Sequence, residues 1–323
     1  IFNLVALLSA VGERNPQMAW HVNIGALMNS LEVARQHHCA LFTPSSIGAF
    51  GPSSPKVRTP QDTVMQPTTI YGICKVTGEM LGNYYHHKYG VDTRSIRFPG
   101  IISNVTLPGG GTTDYAVEIY YEAIRSGRYT CAVPHDVYMD MIYMPDVLRA
   151  CVELMEADPA RLRHRNSFNI ASMSFTPDII AAEIRKRIPS FTMDFNIDPV
   201  KEEIARSWPD SLDDTCAREE WGWRPEWDLS RMTDDMLAAI RSRTAPATPD
   251  IRPSPSETPE TTSPRRELFD KPSTEPRSPG PCRDEKRNTN VNDFPAVPVF
   301  RNRRLLNFLY ICKTLKPLIP FGP

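Results

Sequence analysis

The segment Tyr-Gly-Ile-Cys-Lys occupies residues 71–75, and Ser-Ser-Ile-Gly-Ala-Phe-Gly precedes it at residues 45–51. On a helix, Tyr71 and Lys75 would lie on the same face, one turn apart. A lysine ammonium beside a phenol favours the phenolate, and a phenolate is a competent general base for an alcohol proton. Because a tyrosine and a lysine also meet at this spacing by chance, the surrounding sequence has to support this interpretation.

Apolar runs that end in small or polar residues predict parallel strands. They are residues 1–8, 39–43 and 91–98. Between them, apolar spacing predicts helices at residues 20–34 and 71–89, the second capped by Thr68 or Thr69 and ended by Gly90. Strands that alternate with helices predict an α/β fold with a parallel sheet, and ligands bind such sheets beyond the carboxyl ends of the strands. Ser45 and Ser46 follow a strand at such an end.

The order of these motifs resembles the extended short-chain dehydrogenase/reductase family. After Tyr-x-x-x-Lys comes Arg-Phe-Pro-Gly at residues 97–100. Gly-Gly-Gly-Thr-Thr-Asp-Tyr-Ala at 109–116 and Met-Pro-Asp at 144–146 are similar to the short-chain L-threonine 3-dehydrogenases within that family. The resemblance covers about residues 1–240. It implies a Rossmann-like doubly wound parallel sheet in residues 1–243, with a small C-terminal substrate lobe drawn mainly from 100–116 and 165–235.

The resemblance also implies the residues of a site. The catalytic group would be Ser46, Tyr71 and Lys75. NAD would contact Leu8, Ser9, Ala10, Asn23, Ser45, Tyr71, Lys75, Pro99, Gly100 and Ile101. The substrate would contact Ser46, Tyr71, Thr112, Thr113 and Asp114.

Simpler structural roles stay open for several of these residues. Residues 8–10 also fit a plain strand-to-helix turn, and Pro99-Gly100 is also a common turn signal. Asn23 also fits a surface or capping position, and Thr113 or Asp114 also fits the N-cap of the helix predicted at 115–126.

The activity that the resemblance implies is the NAD-dependent oxidation of L-threonine to 2-amino-3-oxobutanoate. NAD rather than NADP is taken from the family. A nucleotide-sugar epimerase or dehydratase is an alternative, because the same serine, tyrosine and lysine serve both chemistries. A third possibility is a relative without catalytic activity.

The glycine-rich turn that holds a dinucleotide's diphosphate is not found in this sequence. G-x-x-G-x-x-G does not occur, and the three glycines at 109–111 neither follow a strand nor have the G-x-G-x-x-G spacing. No acidic residue for the adenosine ribose can be assigned either. We therefore expect an N-terminally incomplete chain that lacks the first strands of its sheet, either as a fragment or as a truncated product.

Composition and residue patterns limit the kinds of binding partner that we expect. The 323 residues carry a net charge of -1, which gives no indication of nucleic acid binding. Seven scattered cysteines without a C-x-x-C pair indicate reduced thiols of an intracellular compartment. The histidine pairs at 37–38 and 86–87 lack acidic or cysteine partners at ligand spacing, so no metal is predicted. The apolar stretch at 305–323 is short and interrupted, so no membrane anchor is predicted.

About half of the 31 prolines fall in residues 244–323, among Ser, Thr, Glu and Arg. Such a composition predicts a disordered tail outside the family resemblance. The resemblance further implies a homodimer formed through residues 71–89 and 115–126, and a location in the mitochondrial matrix.

Overall fold

The computed structural model describes residues 1–105, 107–109 and 111–244. Its helices are α1 Ser9–Arg14, α2 Pro16–Gln36, α3 Ile70–Tyr89, α4 Tyr115–Arg125, α5 Met144–Glu156, α6 Pro177–Arg185, α7 Pro199–Ser207, α8 Thr215–Trp221 and α9 Leu229–Thr244. Its strands are β1 Leu41–Phe42, β2 Ser45–Ser46, β3 Thr93–Phe98, β4 Gly100–Ile102, β5 Arg128–Cys131, β6 Met139–Tyr143, β7 Asn166–Asn169, β8 Met173–Phe175 and β9 Thr192–Phe195. The predicted tail lies outside the described residues from 245 onward.

The main sheet is parallel and is centred on β3. Strands β1 and β2 are successive pieces of one chain segment and both pair with β3, with Leu41 opposite Thr93 and Ser45 opposite Arg97. Strand β7 pairs with the other edge of β3. This arrangement brings the chain after β2 and the chain after β3 to the same end of the sheet.

The strand predicted at residues 1–8 is mostly not formed. A single bridge joins Phe2 to Phe42, supported by the Asn3 N–H to Phe42 carbonyl bond of 2.9 Å. Leu4 and Val5 beyond it are exposed. Within the described residues this segment pairs on one side only, and one bridge is too little to hold eight residues extended.

A second set of strands forms the lobe. Strand β6 pairs with β4 in parallel and with β8 antiparallel, and β5 pairs with β9. Helix α4 packs against α6 and α9 around a buried core that contains Tyr120, Phe175 and Ile184. A separate core beneath the main sheet contains Phe98 and Trp223. None of the described helices has the length and apolar character needed to cross a membrane.

Local capping signals set the helix ends as predicted. The Thr69 hydroxyl accepts the Gly72 N–H, and Gly90 ends α3 in the left-handed conformation. Helix α2 begins earlier than predicted, because Asn15 caps it and Pro16 occupies its first position.

Candidate active site

Tyr71 and Lys75 lie one turn apart on α3. The Lys75 Nζ is 5.2 Å from the centre of the Tyr71 ring and donates to the Pro44 carbonyl at 2.6 Å. That carbonyl directly precedes β2, so the ammonium is fixed between α3 and the start of β2. A positive charge is therefore held beside the phenol, as the spacing predicted.

A close approach of backbones brings Tyr71 to Ser46. A Cβ at Gly72 would lie 2.2 Å from the Gly48 carbonyl oxygen, so α3 can meet the turn at 47–49 only with glycine there. A Cβ at Gly48 would lie 3.2 Å from the Tyr71 ring and 3.5 Å from the Ser46 hydroxyl oxygen. The phenol and the serine hydroxyl are thus neighbours across Gly48.

Among the residues that the structure describes, the Ser46 hydroxyl makes one hydrogen bond. Its oxygen accepts the Gly48 N–H at 3.1 Å. A hydroxyl that accepts one bond still has its own proton to donate. Ser46 is therefore oriented by the backbone and keeps a donor for a ligand oxygen.

Ser45 is hydrogen-bonded to a buried ion pair, and its contact with the cofactor stays a prediction. Its side chain is buried, and its hydroxyl donates to the Glu79 carboxylate at 2.5 Å. Glu79 in turn pairs with Arg97, whose Nη2 is 2.9 Å from Oε2. Glu79 and Arg97 were missed from the sequence, although Glu79 follows Lys75 by one helical turn and so lies on the same face.

Most of the predicted site residues line one cavity of about 660 Å³. It is lined by Leu8, Ser9, Asn23, Ser45, Ser46, Tyr71, Lys75, Pro99, Gly100, Ile101, Thr112, Thr113 and Asp114. Ala10 stands in α1, one residue beyond Ser9. Trp208, which the sequence did not indicate, also lines the cavity and comes from the end of α7.

The first segment has different local structure from the predicted turn. Helix α1 begins at Ser9, with Leu8 as its extended N-cap. The Asn23 side-chain amide holds the backbone of Leu7, the residue before the N-cap. Its Oδ1 accepts the Leu7 N–H at 2.7 Å, and its Nδ2 donates to the Leu7 carbonyl at 3.2 Å. Asn23 therefore positions the backbone at this edge of the cavity.

The Thr-Thr-Asp segment closes the opposite side. Thr112 is buried and Asp114 receives the Gly109 and Gly111 N–H groups at 2.7 and 2.8 Å. Neither Thr113 nor Asp114 caps α4 with its side chain in the way the alternative predicted. The carboxylate instead holds the glycine segment that precedes it.

Cys74 is the thiol nearest to Tyr71 and Lys75 in sequence, and it lines the cavity. Burial raises the pKa of the Cys74 thiol, while Asn23 and Lys75 oppose the rise. A thiol with a raised pKa is a poor nucleophile at neutral pH.

The parallel sheet, with Ser46 in a strand and Tyr71 and Lys75 on the helix packed beside it, is typical of Rossmann-like nucleotide-dependent α/β proteins. The sequence profile of the NAD dependent epimerase/dehydratase family matches residues 1–171. The chain belongs to this family. The predicted fold class and the predicted cofactor, NAD, are confirmed.

Similar proteins narrow the resemblance. An uncharacterized epimerase/dehydratase of Staphylococcus haemolyticus is 56% identical over 243 residues, which are 75% of this chain and 76% of that protein. The L-threonine dehydrogenase structure from Clostridium difficile is 53% identical, with a TM-score of 0.75 over 75% of this chain and 76% of that one. The holo GalE-like L-threonine dehydrogenase from Cupriavidus necator is 51% identical, with a TM-score of 0.73 over 74% and 78%.

These comparisons confirm the resemblance to L-threonine 3-dehydrogenases and support an NAD-dependent oxidoreductase. They also correct one expectation. The mitochondrial location is wrong, because the similar curated proteins are staphylococcal and bacteria have no mitochondria.

The described residues fit one end of NAD. The cavity lining combines apolar side chains, among them Leu8 and Ile101, with the polar groups of Ser46, Tyr71 and Lys75. This mixture suits a nicotinamide ring and its ribose. The sequence contains no G-x-x-G-x-x-G turn for the diphosphate.

Proposed function

We propose that this protein oxidises the secondary hydroxyl of L-threonine with NAD and yields 2-amino-3-oxobutanoate. The grouping of Tyr71, Lys75 and Ser46 around Gly48 carries the proposal. The similarity to L-threonine dehydrogenases from two bacteria supports the substrate. Ser46, Tyr71 and Lys75 remain the proposed catalytic residues.

In this mechanism the chain's own residues would accept the proton of the substrate hydroxyl. They would also contact the substrate hydroxyl oxygen and the nicotinamide ribose. Tyr71, as the phenolate, takes the proton of the substrate hydroxyl. Ser46 donates its free O–H to the same substrate oxygen, and Lys75 stabilises the phenolate and binds the nicotinamide ribose. NAD, when bound, supplies the hydride acceptor for the β-carbon.

The substrate's charged ends would be held on the other side of the cavity. Thr112 and Thr113 offer hydroxyls for the amino acid carboxylate, and Asp114 offers negative charge for its ammonium group. Because Asp114 also fixes the backbone of residues 109 and 111, its carboxylate is pre-positioned before a substrate arrives.

NADH formation with L-threonine tests the assignment of the base. We expect Tyr71→Phe to lose nearly all turnover and to keep its affinity for NAD, because the ring stays and only the hydroxyl is removed. Tyr84→Phe is the matched control on α3, since Tyr84 is exposed and lies outside the cavity. Equal turnover in wild type and Tyr71→Phe would remove Tyr71 from the role.

A nucleotide-sugar epimerase or dehydratase is the second candidate, because the similar curated proteins bear that family name. The same catalytic trio would serve it. Turnover of UDP-glucose, with none of L-threonine, would favour this candidate. NAD binding without turnover of either substrate would favour a relative without catalytic activity.

We also infer a homodimer. Helix α3 presents Ile73 and Met80 to solvent, the neighbouring helix α2 presents Trp20, and such exposed apolar residues favour a helical interface. Residues 115–126 contribute less, because the apolar face of α4 is buried within the lobe. Light scattering should give twice the chain mass, and Met80→Lys should halve it; a monomeric wild type contradicts the inference.

A further inference from the structure

His164, Cys216 and Glu220 form a cluster away from the cavity. One ligand atom of each lies within 4.8 Å of the others. Cys216 and Glu220 are one turn apart on α8 and share a face, whereas His164 comes from the segment before β7. None of the three lines the active-site cavity.

Glu220 is buried and held in one orientation. Its Oε2 accepts the backbone N–H groups of Arg163 at 2.6 Å and His164 at 3.2 Å. Its Oε1 lies 2.5 Å from the His164 Nδ1. The backbone thus orients the carboxylate so that one oxygen faces the imidazole and the thiol.

The far side of the imidazole meets a second carboxylate. Asp62 Oδ2 is 3.3 Å from the His164 Nε2. In metal sites a ligating histidine almost always donates its other ring N–H to a carboxylate, a carbonyl or water. With Asp62 at Nε2, the His164 Nδ1 is the ring nitrogen that faces the cluster as a possible metal ligand.

The charge around the thiol is mostly negative. The carboxylates of Glu220, Asp62 and Glu219 all act on Cys216, and Arg163 opposes them. The Arg163 side chain is 71% exposed and its Nε is 3.5 Å from Glu220 Oε1, so water screens its charge. A divalent cation at the cluster would neutralise this negative charge.

We propose that His164, Cys216 and Glu220 bind a Zn²⁺ ion, with water in the fourth position. A nitrogen, a sulfur and an oxygen donor are the ligand types that Zn²⁺ prefers. The Nδ1 to Oε1 contact widens on binding, to roughly 3.3 Å between two tetrahedral ligands at ~2.0 Å from zinc. The Cys216 thiol becomes a thiolate and its proton leaves to solvent.

The ion would connect three segments of the chain. It joins α8 to the segment that leads into β7, and through Asp62 it orders the loop at 51–67. The neighbouring Gln61 already bonds the β7 backbone, since its Oε1 accepts the Asn169 N–H at 2.8 Å. The prediction of no metal rested on the histidine pairs at 37–38 and 86–87. His164 and Cys216 are 52 positions apart, so their spacing gave no signal.

Cobalt(II) titration of the full chain tests the site, because a cobalt–thiolate bond gives a charge-transfer band in the near ultraviolet. We expect one equivalent to produce this band and Zn²⁺ to displace it. Cys216→Ser should lose the band. Cys39→Ser, at a half-buried cysteine outside the cluster, should keep it.

Asp62→Asn gives a graded readout in a variant that keeps all three ligands. It should keep the band but weaken Zn²⁺ binding by about 10–100-fold, as expected for an outer partner of a ligating histidine. Absence of the band in the wild type overturns the proposal. Persistence of the band in Cys216→Ser, or cobalt binding without a thiolate band at the surface histidine pairs, overturns it as well.

Discussion

The Glu79 carboxylate and the Arg97 guanidinium form a buried ion pair between helix α3 and the central strand β3. Arg97 Nη2 is 2.9 Å from Glu79 Oε2, and the two side chains are 5% and 4% exposed. Arg97 also donates to the Gln61 carbonyl at 2.7 Å and to Asn169 Oδ1 at 3.1 Å. The pair therefore links α3, β3, β7 and the loop that precedes α3.

Replacing Glu79 by Gln should destabilise the fold strongly. The substitution keeps the shape but leaves the Arg97 charge buried without a counter-ion, which typically costs about 3–5 kcal/mol. Urea unfolding measures the loss. Asp194→Asn is the control, because Asp194 pairs with Arg128 at the surface and should cost at most about 1 kcal/mol. Equal losses in the two variants would contradict the role of burial.

Lys75→Met should lower the turnover number by about 10²-fold or more, because the phenolate loses the charge that favours it. The variant also loses the bond to the Pro44 carbonyl, so NAD affinity should fall too. Steady-state kinetics with varied NAD separates the two effects. Lys88→Met, farther along the same helix, should behave as wild type; a wild-type turnover number in Lys75→Met contradicts the assignment.

Thr113→Ala should raise the KM for L-threonine while the KM for NAD stays unchanged. Loss of a hydrogen bond to a charged group costs about 1.5–3 kcal/mol, or roughly 10–150-fold in affinity. Thr130→Ala, at an exposed position of β5, is the control. A rise in the NAD KM alone would place Thr113 on the cofactor side instead.

Asp140 should make stability depend on pH. Burial raises the pKa of this carboxyl from 3.8 to about 7, although the Leu212 N–H bond at 3.0 Å opposes the rise. Since the folded state then binds the proton more tightly than the unfolded chain, the free energy of unfolding falls as pH rises from about 4 to about 7. Above that range the loss is complete.

Asp140→Asn removes this titrating group but keeps an acceptor for Leu212. Relative to wild type, the variant should therefore gain stability between pH 4.5 and pH 7.5, as measured by urea unfolding at both values. A constant difference between the two proteins across this range would show that Asp140 does not titrate as described.

Short-range signals predicted much of the fold. The ends of α3 follow from Thr69 and Gly90, because each acts within one turn of its own position. The prediction of a strand at residues 1–8 was mostly wrong, because a strand depends on partners distant in the sequence. The described residues supply one bridge to this segment.

The site residues likewise divide into those that local sequence spacing identifies and those that only tertiary packing places. The Tyr71 and Lys75 spacing is local and was visible from the sequence, as was Ser46 at a strand end. Trp208 reaches the site through tertiary packing, and no short-range pattern identifies it. Glu79 lies one turn after Lys75, but its pairing with Arg97 depends on tertiary packing. The resemblance to a known family, rather than periodicity, supplied NAD and L-threonine.

The transfer of deuterium from L-threonine labelled at the β-carbon tests the central proposal most directly. We predict that the reduced cofactor recovered from the reaction carries the deuterium, as NADD, in wild type and Tyr84→Phe but not in Tyr71→Phe. Mass spectrometry detects the label. NADH without deuterium, or equal transfer in Tyr71→Phe, would contradict the proposed oxidation and its base.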